Sequence, residues 1–367
     1  MSSALQPVTV LNKPSKDNDA SRLPLIGLTA LELKALVAQM GEPKFRAEQL
    51  HHWLYVKCVR DFDDMTNLAK SFRNKLAETH TVGQLRIAQK QVSADGTIKY
   101  LFALPDGRLV ESVLMHFEER DSYSICISSQ VGCAVDCKFC ATGKLGFTRN
   151  LTVGEIVEQY LYVQQDSGKE IRNIVFMGQG EPLLNYDNLL QAIRILNASA
   201  EVGMRHITVS TSGIVPKIEQ LAVEKLQLVL AVSLHAPDDE TRDQIMPINK
   251  KWPVAKLINT LKHYIGESGR RVTIEYVLLR GVNDSVTHAE KLGQLTRSLK
   301  CNINLIPYNP IYLPEGCGIS YQRPTDQAIE QFKRAVSAYG KKVTVRMERG
   351  TDIDAACGQL ANKAQAD

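Results

Sequence analysis

Three absences narrow the class of protein before any motif is considered. The 367 residues carry a net charge of only +4, which permits a nucleic-acid partner without demanding one. No apolar stretch approaches the length of a membrane span, so we expect no membrane partner. The first twenty residues contain no basic segment leading into an apolar run, so we expect no secretory signal peptide.

The eight cysteines fit a reducing compartment better than a disulfide scaffold, because no export signal accompanies them. With 44% hydrophobic residues, the chain has core-forming material for one large catalytic domain and a smaller module. We therefore expect a cytoplasmic enzyme, and a monomer.

Three cysteines in the stretch QVGCAVDCKFCATG carry the strongest chemical signal: Cys133, Cys137 and Cys140. Structural zinc sites use four protein ligands, whereas this compact loop supplies three thiolates. The spacing indicates a [4Fe–4S] cluster with one open iron, at which a small chelating substrate can bind. It resembles the radical S-adenosylmethionine (SAM) superfamily, whose clusters bind SAM. The alternatives are a zinc knuckle that borrows a distant ligand, and three buried thiols.

The N-terminal third divides by composition. Residues 1–24 are polar, which predicts a disordered tail. Residues 25–84 place apolar side chains at three- and four-residue intervals, which predicts a small all-helical accessory module. Its basic residues fit solvated helix faces and RNA-backbone contact about equally well. They are Arg46, Lys57, Arg60, Lys70, Arg73 and Lys75.

Residues 85–121 predict a β-hairpin extension, because alternating apolar residues are separated by Asp-Gly turns. Residues 122–350 alternate six apolar strands with amphipathic helices, which predicts an α/β fold with a partial (β/α)6 barrel. Residues 351–367 form a C-terminal segment.

Small or polar residues follow the predicted strands. The carboxyl ends of parallel strands open on one mouth, so these residues should share a pocket with the cysteine loop. Such a pocket offers the carboxylate, hydroxyl and amide partners that SAM needs. The SAM-binding candidates are Gly180, Glu181, Ser210, Ser233, Leu234, His235 and Asn309.

A series of longer motifs makes the resemblance specific. MGQGEPLLN, STSGIVP, SLHAP, MPINKK, NLIPYNP and DIDAACGQL occur in this order. The chain thereby resembles the RlmN/Cfr family of radical SAM RNA methyltransferases over residues 25–361, on its RlmN side. That resemblance implies methylation of C2 of an adenosine in 23S rRNA near the peptidyl transferase centre. It also implies a set of tRNAs as substrates, two SAM per turnover and an electron donor such as flavodoxin.

The same resemblance assigns roles to two further cysteines and a carboxylate. Cys357 is implied as the methyl carrier, and Cys126 as the thiol that resolves a covalent protein–RNA intermediate through a transient disulfide. Glu111 matches the implied proton acceptor. Cys58, Cys301 and Cys317 match no motif.

Two other functions stay open on the sequence. Methylation at C8, as on the Cfr side, would use the same cluster and cysteine pair. An iron–sulfur RNA-binding protein without methylation has no need of that pair. Basic residues near the mouth are further candidates for RNA contact: Lys138, Lys144, Arg149, Lys250, Lys251 and Arg349.

Overall fold

The computed structural model describes residues 22–311 and 320–361. Its first part is the small helical module, opened by a capping box in which the Thr29 hydroxyl and the Glu32 carboxylate bond each other's backbone N–H. The elements are β1 (Leu23–Pro24), α1 (Ala30–Gln39), α2 (Phe45–His51), α3 (Lys70–Thr79) and β2 (His80–Thr81). The tail predicted over residues 1–24 lies almost wholly outside the described residues, and its last two residues pair with β2.

The remaining elements build one large sheet and its covering helices. In chain order they are β3 (Arg86–Val92), β4 (Ile98–Ala103), β5 (Leu109–Phe117), β6 (Ser122–Cys126), β7 (Gln130–Gly132), α4 (Ala141–Lys144), β8 (Phe147–Asn150), α5 (Val153–Ser167), β9 (Ile171–Phe176), α6 (Tyr186–Ala198), β10 (Ile207–Thr211), α7 (Val215–Val223), β11 (Val229–Ser233), α8 (Asp239–Ile245), α9 (Val254–Ser268), β12 (Val272–Leu278), α10 (Val286–Thr296), β13 (Cys301–Pro307), α11 (Asp326–Ser337) and β14 (Lys342–Val345).

The large sheet has ten strands in the order β14-β13-β12-β11-β10-β9-β6-β5-β4-β3. Strands β6 and β9 to β14 run parallel, and the connecting helices cover them. This arrangement confirms the predicted α/β partial barrel, with β14 as one parallel strand more than the six expected. Strands β3 to β5 pair antiparallel and continue the same sheet, so the predicted hairpin extension is a three-stranded edge of the barrel sheet.

A buried carboxylate joins the helical module to the barrel. Glu158 on α5 forms a 3.0 Å ion pair with Arg60 and accepts hydrogen bonds from the backbone N–H groups of Gln84 and Leu85. The two parts also approach closely at Gly27, where an added Cβ would lie 2.8 Å from the Cα of Gly154. These contacts fix the module against one barrel helix.

Across residues 22–311 and 320–361, no helix combines the length and the apolar character that crossing a bilayer requires.

Candidate active site

The three-cysteine loop lies between β7 and α4, at the carboxyl end of the barrel strands. Cys133 donates its backbone N–H to the carbonyl of Gly146 over 2.8 Å. Gly132 makes this approach possible, because its φ is +73° and a Cβ there would overlap the Gly146 carbonyl oxygen. Cys133, Cys137 and Cys140 all line one cavity of about 170 Å³.

The chemistry of these thiols fits a cluster. Burial raises the pKa of Cys133 to about 12 and raises the pKa of Cys137 and Cys140, so the bare side chains keep their protons. Positively charged iron offsets that cost, because metal binding displaces the thiol protons. Across the described ranges, no three His, Cys, Asp or Glu side chains, these three thiols included, are arranged to hold a single metal ion. Three thiols around a shared cavity remain suited to the larger [4Fe–4S] group.

Six of the seven predicted SAM-binding residues line the same cavity as the cysteines. They are Gly180, Glu181, Ser210, Ser233, His235 and Asn309. The side chain of Leu234 is fully buried in the core and is not among the lining residues. Side chains alternate across a strand end, so its neighbours Ser233 and His235 face the cavity while Leu234 faces away.

Glu181 carries a buried carboxylate that organises the neighbouring turn. It accepts a 3.0 Å hydrogen bond from the Leu183 N–H and a 2.6 Å bond from the Ser212 N–H. Burial raises its pKa, and these hydrogen bonds oppose that rise. The adjacent Gly180 has φ +100°, and a Cβ there would lie 2.5 Å from the Cβ of Gln130. The backbone at this turn therefore packs against Gln130 more closely than a side chain would allow.

His235 is a neutral side chain at the strand end. Its Nδ1 accepts a 3.0 Å hydrogen bond from the Val277 N–H, so Nε2 carries the ring proton. Burial, followed by the nearby Arg242 charge, lowers its pKa to about 3. The Phe139 ring, between two of the cysteines, packs edge-on against it at 5.0 Å. His235 is thus a fixed Nε2–H donor beside the cysteine loop.

Arg242 holds the ends of two neighbouring strands, β10 and β11, together. Its guanidinium donates to the carbonyls of Leu234, Ser212 and Ser233 over 2.9, 2.7 and 3.1 Å. A fourth bond, 2.9 Å long, reaches the Asn249 side chain. Each nitrogen of the buried guanidinium thus donates at least one hydrogen bond, which offsets the cost of burying the charge.

A second cavity of about 410 Å³ adjoins the first. Its lining includes Cys126, Arg346, Arg349 and Cys357, and the Arg349 guanidinium lies 4.7 Å from the centre of the Phe117 ring. Six residues line both cavities. They are Met177, Ile306, Asn309, Arg346, Cys357 and Gly358. Cys357 therefore lies on the wall between the cysteine loop and the larger cavity.

Cys126 and Cys357 are both free thiols. A standing disulfide between them is therefore not supported. Burial, with a smaller contribution from Cys357, raises the pKa of Cys126 to about 12, whereas the positive charge of Arg346 opposes that rise. Cys126 is a protonated thiol at neutral pH in this arrangement.

Glu111 lies on β5 and is buried, with its carboxylate 3.4 Å from the Lys99 ammonium. It is not among the residues that line the two cavities. Lys99 also donates to the Asp354 carbonyl over 3.4 Å, so the pair lies beside the segment that carries Cys357. The structure brings Glu111 near the predicted carrier, behind the cavity wall.

Sequence reasoning missed several residues around the cavities. Glu275 on β12 lines the smaller cavity and accepts a 2.8 Å hydrogen bond from the Asn304 side chain. Its signal was available, because a lone carboxylate inside the apolar run VTIEYVLL needs a partner. Arg242 and Arg346 gave no comparable signal, since an arginine on a short polar helix or directly after a strand is ordinarily solvated.

Most basic residues in the helical module have structural partners. Arg60 pairs with Glu158, Arg73 bonds Asp63, and Arg46 and Lys75 donate to backbone carbonyls. Of the six basic residues predicted to contact RNA from this module, Lys57 and Lys70 are exposed and have no recorded partner among the described residues. Near the mouth, Lys138 pairs with Asp136 and Arg149 with Glu155 and Asp106, while Lys144, Lys250 and Lys251 are exposed.

Comparison with known proteins defines the class first. Residues 127–292 match the model of the radical SAM superfamily. The fold is similar to the crystal structure of a radical SAM methyltransferase from Sphaerobacter thermophilus, with a TM-score of 0.88 and 45% identity over 93% of this chain and all of that one. The chain is therefore a radical SAM enzyme.

The helical module and the close relatives identify the family. Residues 23–82 match the model of the ribosomal RNA large subunit methyltransferase N-terminal domain. The chain is 48% identical to a probable dual-specificity RNA methyltransferase RlmN from Geobacillus kaustophilus, over 92% of both chains. A protein of the same description from Thermotoga neapolitana is 47% identical over 92% of this chain and 97% of its own. The chain belongs to the RlmN family of SAM-dependent RNA methyltransferases, as its motifs predicted.

Proposed function

We propose that this enzyme methylates C2 of an adenosine in 23S rRNA, at the peptidyl transferase centre, and of the adenosine 3′ of the anticodon in a subset of tRNAs. It uses two SAM per turnover, with Cys357 as the methyl carrier. One observation supports this most strongly. Cys357 lies on the wall that the two cavities share, between the three cysteines on one side and Cys126 on the other.

The smaller cavity supplies the cofactor site of this proposal. Cys133, Cys137 and Cys140 would hold a [4Fe–4S] cluster, and Glu181 and His235 line the space left for SAM. When bound, the cluster supplies the electron that turns SAM into a source of a hydrogen-abstracting radical. His235 offers a neutral donor and Glu181 an acceptor, which suits the ribose and ammonium groups of SAM.

The cysteine pair divides the transfer into two steps. Cys357 takes a methyl group from one SAM as a thiolate, gives a hydrogen atom from that methyl group to the radical derived from the second SAM, and joins its carbon to the adenine. The adduct then gives up the C2 proton and one electron, which would return to the cluster. Cys126 attacks the sulfur of Cys357 and breaks the carbon–sulfur bond, so that the base leaves with a proton taken up at the new methyl group and a disulfide remains. The Cys126 thiol must first lose its proton, and the Arg346 charge favours the thiolate. We assign the base that accepts the adenine proton to Glu111.

The larger cavity is the proposed site of the target base. Its volume of about 410 Å³ admits a nucleobase, and Arg349 lies at its edge against Phe117. The adenosine must leave its stack to enter, at a cost of a few kcal/mol. Flat guanidinium and aromatic surfaces compensate part of that cost by stacking.

The RNA backbone is proposed to contact the helical module at Lys57 and Lys70, two exposed lysines there with no recorded structural partner. Charge reversal at both sites should weaken RNA binding and reduce its salt dependence. Point substitutions suit this test better than truncation, because removing the module would leave the buried Glu158 without Arg60. Unchanged RNA affinity in Lys57→Glu/Lys70→Glu would remove the module from the interface.

The direct test is anaerobic reconstitution with iron and sulfide, followed by incubation with methyl-labelled SAM and unmodified rRNA or tRNA. Mass spectrometry of the nucleosides should show 2-methyladenosine. Label at C8 would place the enzyme on the Cfr side, and no label despite SAM cleavage would refute the substrate assignment. Cys357→Ala should abolish labelling, whereas Cys301→Ala, at a buried cysteine on β13, should keep it.

A further inference from the structure

The segment that carries Cys357 is tied to a turn on the far side of the sheet. We call residues 350–360 the carrier segment and residues 93–97, between β3 and β4, the latch turn. The Ser93 hydroxyl donates to Asp352 over 2.6 Å, and the Ala94 N–H donates to the same carboxylate over 3.2 Å. In the reverse direction, the Gly350 N–H donates to Asp95 over 2.9 Å.

These contacts form a reciprocal arrangement. Each side contributes one carboxylate, and each carboxylate accepts hydrogen bonds from the other side. Asp95 also accepts from the Thr97 N–H within its own turn, over 2.9 Å, which fixes the direction of its side chain. Packing supports the same contact, because Thr97 is fully buried and an added Cβ at Gly350 would lie 2.9 Å from its methyl group.

The carrier segment is held at its other end by the mouth of the barrel. The Ala141 N–H, directly after the cysteine loop, donates to the Gly358 carbonyl over 2.7 Å. The Asn309 side chain donates to the Cys357 carbonyl over 3.4 Å. Between these ends, the Ile353 and Ala355 N–H groups both return to the Gly350 carbonyl, so the segment curls tightly from the latch toward Cys357.

We propose that the latch turn positions Cys357 for methyl transfer, with Asp352 and Asp95 as positioning residues. Neither carboxylate lines either cavity, so neither touches the reacting groups. They act by setting where the start of the carrier segment lies, and the contacts at Asn309 and Ala141 set its end. The inference deepens the proposed function, on which the role of Cys357 rests.

The test measures the reactivity of Cys357 in the full-length protein by iodoacetamide alkylation and mass spectrometry. Asp352→Ala removes two hydrogen bonds to a carboxylate and should raise the alkylation rate of Cys357 about tenfold. Asp352→Asn keeps one oxygen acceptor and should lie between Asp352→Ala and the wild type. Glu219→Ala, which removes an exposed carboxylate on α7, is the control and should change nothing.

Methylation by the reconstituted enzyme supplies the second measurement. Asp352→Ala should lower kcat about tenfold and raise KM for RNA much less, because Asp352 itself lines neither cavity and is not among the proposed RNA contacts. Ser93→Ala removes one contact of the same pair and should show a smaller effect. The double variant Ser93→Ala/Asp352→Ala should match Asp352→Ala, since both changes break one interaction.

An unchanged Cys357 alkylation rate in Asp352→Ala, or an increased rate with unchanged kcat, would overturn the latch. Cys301 is buried on β13 and reports global unfolding. If the alkylation rate of Cys301 also rises in Asp352→Ala, that variant is partly unfolded. The milder variant Ser93→Ala is then tested instead, by its Cys357 alkylation rate and its kcat. A wild-type protein that makes no methyladenosine refutes the proposed function, while the alkylation rates still decide whether the latch holds the segment.

Discussion

His235 should make the stability of this protein fall as the pH falls. Its pKa is about 3 in the folded protein and about 6.5 in an unfolded chain. Between pH 6.5 and about 3, the His235 ring binds a proton in the unfolded chain but not in the folded protein. The stabilisation from the neutral ring is therefore complete above the unfolded pKa and is lost as the pH falls toward 3.

The magnitude follows from the difference between the two pKa values. Between pH 7 and pH 5 the free energy of unfolding should fall by about 2 kcal/mol through His235 alone. This figure holds for any folded pKa below about 4, because the folded protein stays neutral at pH 5 in every such case. Buried carboxylates act in the opposite direction, since burial raises the pKa of Glu158, Glu181 and Glu275.

Comparing the wild type with a variant that lacks the His235 ring separates the effect of His235 on stability from the effect of those carboxylates. His235→Asn removes the titrating ring at a residue with φ +59°, a conformation that asparagine tolerates. Urea unfolding of both proteins at pH 7, 6 and 5 gives the stability advantage of the wild type at each pH. That advantage should shrink by about 2 kcal/mol over the series.

The control substitution destabilises without removing a titrating group. Ile193→Val, in the fully buried core of α6, should cost about 1 kcal/mol equally at all three pH values. A wild-type advantage over His235→Asn that stays constant, or grows, from pH 7 to pH 5 would refute the reasoning. It would mean that the ring binds its proton in the folded protein.

Three further predictions concern contacts around the site. Arg242→Met should lower the free energy of unfolding by about 3–5 kcal/mol, because it removes the donor to three backbone carbonyls. The control Arg334→Met, at an exposed residue, should change the free energy of unfolding little, and urea unfolding of both variants measures the difference. Arg60→Met should lower the free energy of unfolding by about 3 kcal/mol, because it leaves the buried Glu158 carboxylate without its ion-pair partner. A loss below about 1 kcal/mol would show that the two backbone N–H donors are enough to stabilise that carboxylate. Gly180→Ala should weaken SAM binding at least tenfold in a binding titration, because its Cβ has no room, and unchanged affinity would contradict the close approach at that turn.

The sequence predicts which strands this fold contains better than it predicts how those strands pair with one another. The six predicted barrel strands are present because each is a continuous apolar run between turn residues, which is the pattern of a strand covered on both faces. The seventh, β14, is a four-residue edge strand with alternate residues exposed, and so short a segment carries little pattern. The turns of the extension at 85–121 were predicted correctly from their Asp-Gly pairs. The pairing of the extension with β6 could not be predicted, because it depends on contacts between residues that are distant in the sequence.

The same limit applies to the site. Ser233 and His235 could be predicted because polar residues at a strand end face the mouth. The side chain of Leu234 is buried in the core, which leaves only its backbone for the predicted SAM contact, and that contact stays a prediction. Arg242 could not be predicted, since its partners are backbone carbonyls from different strands. A carbonyl is present at every residue, so the sequence gives no sign of which ones meet.

The open barrel explains why the proposed methyl carrier lies outside the regular elements. A closed barrel fills its centre with its own side chains, whereas this sheet ends at the edge strand β14 and leaves two adjoining cavities. The wall between them includes Cys357, which belongs to no helix or strand and is tied by hydrogen bonds at Gly358 and Asp352. A sulfur atom on such a segment reaches both cavities with small changes in backbone angles, which a strand residue could not make without breaking its ladder. The proposed transfer needs that reach, since under it Cys357 would meet SAM on one side and the base on the other.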